Sequence, residues 1–305
     1  MQQPDTTTKQ SKLTLTVFLA VVSIATTSAQ RNDLHKTIHE LAAQVDGQVG
    51  VAIMNLSTND TLIYNANGVF AMQSVYKFPL ALAVLKKVDQ KKLSLNQKIK
   101  ITKQDLHPNT LSPLRDKYPD QNIEITLLEL LHYTVVESDN NACDVLFGLL
   151  KGPRNVQKYV ESVDVKEMKI EATEEEMSKD WYVQFTNWSK PRAMLRLLEL
   201  FYKKKLLSTS SYEILWKMMA ETSRGNNRIK GLLPEGTEVI HRPGTGPTNN
   251  EGKIGAVNDV GIVKLPNGKY FAIVVYAGRS TNDLAMLEKI IAEITLAAYK
   301  SDWLN

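Results

Sequence analysis

Near the start of the chain, apolar residues fall at helical spacing: Leu34, Ile38, Leu41 and Val45. Steps of three and four residues line one face of a helix. The pattern then switches to alternation at Val49, Val51 and Ile53, which predicts a strand, and a turn at Ser57 to Asp60 leads to a second strand. Toward the other end, strand-like runs from Ala256 to Leu265 and from Tyr270 to Tyr276 flank Pro266-Asn267-Gly268, a short hairpin signal. Leu284, Leu287, Ile291 and Ile294 form a last helical stripe. Between these ends, from about Ser74 to Thr222, helical spacing dominates and alternating runs are scarce. The two chain ends are therefore expected to share one sheet, with a helical domain inserted between them.

The first thirty residues carry a different pattern. Lys9 and Lys12 precede an uncharged run from Leu13 to Ala25, and Thr27-Ser28-Ala29 supplies small residues before Gln30. This has the layout of a secretory signal peptide cleaved after Ala29. The run is too short for a membrane-spanning helix, which needs roughly 20 apolar residues. Cleavage there would remove Asp5, Lys9 and Lys12, lowering the formal charge from +4 to +3.

At 305 residues, 43% hydrophobic and 23% charged, the composition is that of a folded globular protein. Its 37 basic and 33 acidic residues nearly balance, and Lys86-Lys87, Lys91-Lys92 and Lys203 to Lys205 sit among apolar periodic segments. They read as solvated helix faces and not as a nucleic-acid groove. The single cysteine, Cys143, excludes an intramolecular disulfide, and its distance from Ala29 excludes a lipoprotein-type anchor at the cleavage point.

The candidate chemistry sits where the predicted domains join. Ser74-Val75-Tyr76-Lys77 opens the helical segment. A serine nucleophile needs a base and a place for developing negative charge. A lysine three residues on shares its helix face, and free N–H groups at a helix start favour an oxyanion. Pro79, placed just beyond the first turn, predicts local distortion. Ser-x-x-Lys alone is weak, since roughly one chance copy is expected in a chain this long. It gains weight from its ordered company farther along the chain: Ser138-Asp139-Asn140, the acidic run Glu174-Glu175-Glu176, and His241-Arg242-Pro243-Gly244-Thr245-Gly246.

This set resembles the signature of class A serine β-lactamases: Ser-x-x-Lys, Ser-Asp-Asn and Lys-Thr-Gly. Met72-Gln73-Ser74, Lys77-Phe78-Pro79, Tyr133-Thr134-Val135, Arg228-Ile229-Lys230-Gly231 and Asn258-Asp259-Val260-Gly261 look like the extended-spectrum branch containing the VEB, PER and TLA types. The resemblance implies an α/β plus all-α β-lactamase/transpeptidase-like fold: an antiparallel sheet flanked by terminal helices, with an inserted helical domain. The corresponding division is a signal peptide over 1–29, a discontinuous α/β domain over 30–66 and 221–305, and an all-helical domain over 67–220.

Carried over residue by residue, the resemblance makes Ser74 the nucleophile, with Lys77 supporting its deprotonation. Ser138 becomes the proton shuttle to the leaving nitrogen, and Glu174, four residues before Ser178, the base for the deacylating water. Asn140 would bind the substrate's amide carbonyl, and Arg242, Gly244 and Thr245 the rest of it. Backbone N–H groups of Ser74 and Thr245 would form the oxyanion hole, and Asp139 would be structural. Which of Glu174 and Lys77 activates Ser74 stays open. No metal or cofactor is implied. The partners are a small β-lactam and one water, with no nucleic acid and no membrane anchor, and the expected form is a periplasmic monomer.

Arg242-Pro243-Gly244 stands in place of Lys-Thr-Gly, keeping a cation for the substrate carboxylate but losing a hydroxyl and a backbone donor. If Thr245 N–H faces the cleft, position 243 faces the same edge, so Pro243 leaves the ladder to the next strand intact. Ser178 replaces an asparagine or histidine, and Leu111 a cleft-wall aromatic. These departures keep two alternatives in view: a penicillin-binding peptidase, or a non-catalytic β-lactam-binding domain. Elsewhere, His35 and His39 lack the glutamate of a zinc-protease motif, and His107, His132 and His241 show no ligand pattern. Trp181, Trp188, Met218 and Met219 read as core, and Cys143 as a buried inert thiol.

Overall fold

A computed structural model describes residues 28–119 and 122–305. The expected signal peptide lies outside these residues apart from its last two positions. Residues 28–42 form α1, followed by β1 (Gln48–Asn55) and β2 (Thr61–Tyr64). The chain then runs through β3 (Phe70–Ala71), α2 (Lys77–Asp89), β4 (Lys98–Ile101), α3 (Pro113–Lys117), β5 (Ile123–Thr126), α4 (Leu127–Val135), α5 (Asn140–Leu149) and α6 (Pro153–Ser162). It continues through β6 (Met168–Lys169), α7 (Glu174–Lys179), β7 (Trp188–Ser189), α8 (Pro191–Tyr202) and α9 (Thr209–Ala220). It returns as β8 (Val239–Thr245), β9 (Val257–Lys264), β10 (Tyr270–Gly278) and α10 (Leu284–Lys300).

Five strands make one antiparallel sheet in the order β2-β1-β10-β9-β8, so both chain ends supply it. Strand periodicity divides the molecule into two cores. Val49, Val51 and Ile53 of β1 face Leu34 and Ile38 of α1 and Leu287, Ile291 and Ile294 of α10. The alternate residues Ala52 and Met54 face a second core with Phe78 and Leu82 of α2 and Leu198 and Phe201 of α8. Both faces of the sheet are thus covered by helices, and each large apolar side chain buried this way contributes roughly 1.5–3 kcal/mol.

The segment between the sheet halves is mainly helical but not all-helical as expected. β4 pairs with β5, bringing Ile99 opposite Ile125 and Ile101 opposite Ile123, and β3, β7 and β6 form a second small sheet. Alternation is present in Lys98-Ile99-Lys100-Ile101, but the run is short and easily absorbed into a helical reading. The proline also behaves differently. A 3₁₀ turn over Gln73–Tyr76 precedes α2, which begins only at Lys77, so Pro79 falls within the first α-helical turn. Proline costs little there, because N–H groups of the first turn lack intrahelical partners anyway.

Candidate active site

Ser74 is the one residue between Phe70 and Leu85 that is not buried. Its position is fixed from both sides. Gln73 adopts φ +50°, a conformation side chains adopt at a cost of about 1–3 kcal/mol, and its amide donates to Gln184 Oε1 (2.8 Å). On the other side β8 passes so close that a Cβ on Gly244 would stand 2.6 Å from Met72 O and 3.1 Å from Ser74 N. The glycine is therefore required for the strand to lie against the serine turn.

β8 is an edge strand, and Gly246 N–H donates to Ala256 O (2.7 Å) in the neighbouring chain segment. By alternation, the N–H groups of Gly244 and Arg242 also point toward β9, while Thr245 N–H and the ring nitrogen of Pro243 point to the free edge. Pro243 thus interrupts no ladder bond. Thr245 N–H and the Ser74 turn then flank the same opening, an arrangement able to hold an oxyanion.

Ser138 also has a left-handed backbone, φ +60°, and its hydroxyl donates to Ser74 Oγ (3.1 Å). Fully buried Lys77 donates through Nζ to Ser138 O (2.9 Å) and Asn140 Oδ1 (2.5 Å), and lies 3.0 Å from Glu174 Oε1. That oxygen has no aligned protein donor, so it retains acceptor capacity. Asn140 directs its amide to Thr110 Oγ1 (2.6 Å), beside exposed Leu111. Asp139 has a structural place. It caps α5 by accepting from Ala142 N (2.8 Å) and also takes Leu114 N–H (2.7 Å) and the Ser112 hydroxyl (3.0 Å).

The acidic run divides by environment. Glu176 closes a capping box with Thr173 at the start of α7, and Glu175 pairs with Lys179 (3.1 Å) and His107 (3.5 Å). Glu174 alone is buried and faces Lys77. A recess of about 170 Å³ beside it, bordered by Thr110, Asp144 and Ser178, has room for water. Ser178 turns its hydroxyl back to Glu175 O (2.7 Å).

Arg242 departs from expectation. Its guanidinium is fully buried and donates from Nε to Ser74 O (2.9 Å), from Nη1 to Val135 O (2.8 Å) and from Nη2 to Ser138 Oγ (2.5 Å). The two parallel donors expected for a substrate carboxylate are committed to the protein. The cause is the fork itself, which reaches two carbonyls and a hydroxyl at once where an ammonium would be a point charge. Burial pushes the group down to about 10, and it remains charged at neutral pH.

Sequence reasoning missed two residues. Arg228, 3% exposed, donates to Gly244 O (3.0 Å), Asn258 O (2.8 Å) and Thr245 Oγ1 (2.6 Å), bringing a second guanidinium to the outer end of β8. It appeared in the sequence only within Arg228-Ile229-Lys230-Gly231, and nothing in the spacing of a turn residue announces a contact with Thr245. Asp144 accepts from both Glu174 N and Glu175 N (2.8 Å each), anchoring the start of α7 to α5. A carboxylate in the middle of a hydrophobic helical run carries no signal until α7 is docked on it. Of the aromatics expected in the core, Trp181 and Trp188 are only half-buried, and Trp181 Nε1 donates to Pro247 O (3.0 Å). Met218 and Met219 are buried, and so is Cys143, whose thiol is pushed up by burial.

Asp144 gives a pH signature. Burial, and next the charge of Glu174, raise its pKa from 3.8 to about 7. The native state therefore holds this proton more tightly than the unfolded chain. The associated stability is full below about pH 4 and is lost as pH rises through about 7. Asp144→Asn cannot titrate, so urea denaturation should show the variant gaining on the wild type by a few kcal/mol between pH 4 and pH 8. A difference that stays constant across that range would disprove the assignment.

Residues 33–301 match the model of the beta-lactamase enzyme family. The chain is 42% identical to beta-lactamase VEB-1 of Pseudomonas aeruginosa, covering 93% of this chain and 95% of that protein. It is 37% identical to extended-spectrum beta-lactamase PER-1 of the same organism, over 93% and 92% of the two. Among solved structures, TLA-3 extended-spectrum beta-lactamase superposes with a TM-score of 0.86 at 46% identity, covering 88% of this chain and 98% of that one.

Proposed function

The chain belongs to the beta-lactamase enzyme family, and from that premise we propose how its cleft carries out the reaction. It is a class A serine β-lactamase, a hydrolase that opens the ring of β-lactam antibiotics and confers resistance to them. The observation that carries the proposed roles is the continuous contact path from Ser74 Oγ to Ser138 Oγ and, through Ser138 O and Lys77 Nζ, to Glu174.

In the first half-reaction Ser74 gives its hydroxyl proton to Glu174 or Lys77, the proton that is then passed on toward the leaving nitrogen, and its Oγ adds to the ring carbonyl, whose oxygen is held by the N–H groups of Ser74 and Thr245. The carbon–nitrogen bond breaks, and the nitrogen takes a proton delivered through Ser138. In the second, water adds to the ester while Glu174 takes its proton, the carbon–oxygen bond breaks, and Ser74 recovers its hydrogen. Asn140 binds the amide side chain. Thr245 would meet the substrate carboxylate through its hydroxyl, which Arg228 orients, with Gly244 keeping that edge open.

The same reading assigns residues 1–29 to a signal peptide and the mature enzyme to the periplasm as a monomer without a membrane anchor. Among the described residues, no helix is long and apolar enough to cross a membrane. It also divides the mature chain into the sheet domain, 30–66 with 221–305, and the inserted domain, 67–220.

Mature protein incubated with a chromogenic cephalosporin should turn over many times per enzyme. One acylation followed by arrest would instead identify a penicillin-binding peptidase or binding domain. Arg242 supplies a sharper test of the site. Arg242→Ala strands two carbonyls and frees Ser138, and bonds to a charged group are worth roughly 1.5–3 kcal/mol, so kcat/KM should fall by about tenfold to a hundredfold or more. A positioning role predicts that the fall lies in kcat. A rise in KM with kcat retained would restore the carboxylate-binding role.

A further inference from the structure

A cleft of about 820 Å³ opens in the helical part of the molecule, between the C-terminal half of α2, the turn over 90–93, the end of α5 and one face of α6. It shares no residue with the Ser74 site. Lys86, Lys87, Lys92, Lys151 and Lys158 line it, and no carboxylate does. Among the described residues, Lys87, Lys92, Lys151 and Lys158 form no ion pair, while Lys86 donates to Leu206 O (3.2 Å). Asp89, whose charge acts on Tyr159, is turned away into the start of α9, accepting from Ser208 N (2.7 Å), Ser208 Oγ (2.6 Å) and Ser211 Oγ (2.6 Å). Several unneutralised ammonium groups around one concavity focus positive potential into it.

The lining is also apolar. Leu93, Leu149, Leu150 and Val163 contribute to it, with Tyr159 next to Lys158 on α6. The Tyr159 ring adds apolar area to this wall, while its hydroxyl is buried away from the opening.

Lysines at helix C-termini ordinarily need no ligand to explain them, because they offset the negative helix end. That explanation does not cover this cleft. Near the end of α2 the carbonyls of Lys86, Lys87 and Val88 are already taken by the N–H groups of Gln90, Lys91, Lys92 and Leu93, and near the end of α5 those of Leu146, Phe147 and Gly148 by the N–H groups of Leu150, Gly152 and Lys151. Lys158 lies inside α6, away from any helix C-terminal turn.

We propose that this cleft binds an amphipathic anion, a carboxylate on an aryl or alkyl body, with the lysines receiving the head and the leucine-rich wall and the Tyr159 ring receiving the body. Its volume is in the range that accommodates a small organic ligand. The site is independent of β-lactam turnover and does not rest on the catalytic assignments.

Titrating the intact protein with 4-phenylbutyrate, followed by calorimetry and amide NMR shifts, tests this. Saturable binding is expected, with shifts clustered over residues 86–93 and 149–163. Neutral 4-phenylbutan-1-ol and the Lys87→Glu/Lys158→Glu variant should each show affinity weakened by about tenfold or more, since exposed charges dominate recognition of the head. Hydrolysis of a cephalosporin by that variant should stay at the wild-type rate. Shifts confined to the Ser74 cleft, no saturable binding, equal affinity for the alcohol, or undiminished binding by the charge-reversed variant would each overturn the proposal.

Discussion

Replacing Ser74 by alanine is expected to abolish turnover, with a loss in kcat on the order of a million-fold if the nucleophile behaves as in other serine hydrolases. Intact mass after exposure to a cephalosporin should show no adduct. The expectation rests on convergence of separate elements on one hydroxyl. The Gln73 turn presents it, Gly244 lets β8 approach its N–H, and Ser138 donates to its oxygen at 3.1 Å. Removing it deletes a single neutral hydrogen bond, so folding stability should change by no more than about 1–2 kcal/mol. An adduct that persists on the alanine variant would move the nucleophile elsewhere.

Much of this convergence is written locally. The alternation at Val49, Val51 and Ile53, the Pro266-Asn267-Gly268 hairpin and the last helical stripe each arise from short-range geometry, and each falls in the expected element. Pro243 is also readable, because N–H direction alternates along any strand and β8 is an edge. The interior of the site is not. Arg242 reaches Ser74 O across 168 residues of sequence and Val135 O across 107, and no periodicity encodes which acceptors a buried fork will find. The motif places a cation there but suggests the wrong recipient. Asp144 likewise acquires its role only when α7 docks against α5, and the short β4 and β5 strands form because each completes the other.

Burial of Arg242 changes what the substitution for lysine means. A guanidinium that donates to Ser138 Oγ fills one of that oxygen's two acceptor sites and leaves the Ser138 proton for Ser74 Oγ, the direction in which the hydroxyl points. On the proposed reading the carboxylate of a β-lactam would be met farther along β8 by exposed Thr245, whose hydroxyl accepts from Arg228 and so keeps its own proton to donate, Arg228 itself being buried and ion-paired with Glu288 (3.1 Å).

Glu174→Gln should acylate and then stall, releasing the acyl-enzyme about 100-fold to 10,000-fold more slowly, the usual range for loss of a general base. The amide keeps the shape of the side chain but cannot accept a proton from water. It also replaces the charged partner of Lys77, so acylation itself should slow if Glu174 shares in activating Ser74. Pre-steady-state mixing with a chromogenic cephalosporin separates the two steps: a burst of one equivalent followed by a slow phase marks a deacylation defect, whereas a slow burst marks an acylation defect. The neighbours serve as controls because their environments differ. Glu175 is half-buried and paired with Lys179 and His107, and Glu176 closes a capping box that glutamine can also close. Glu175→Gln and Glu176→Gln should therefore turn over at close to the wild-type rate. If either one accumulates the adduct while Glu174→Gln does not, the deacylating base has been placed on the wrong carboxylate.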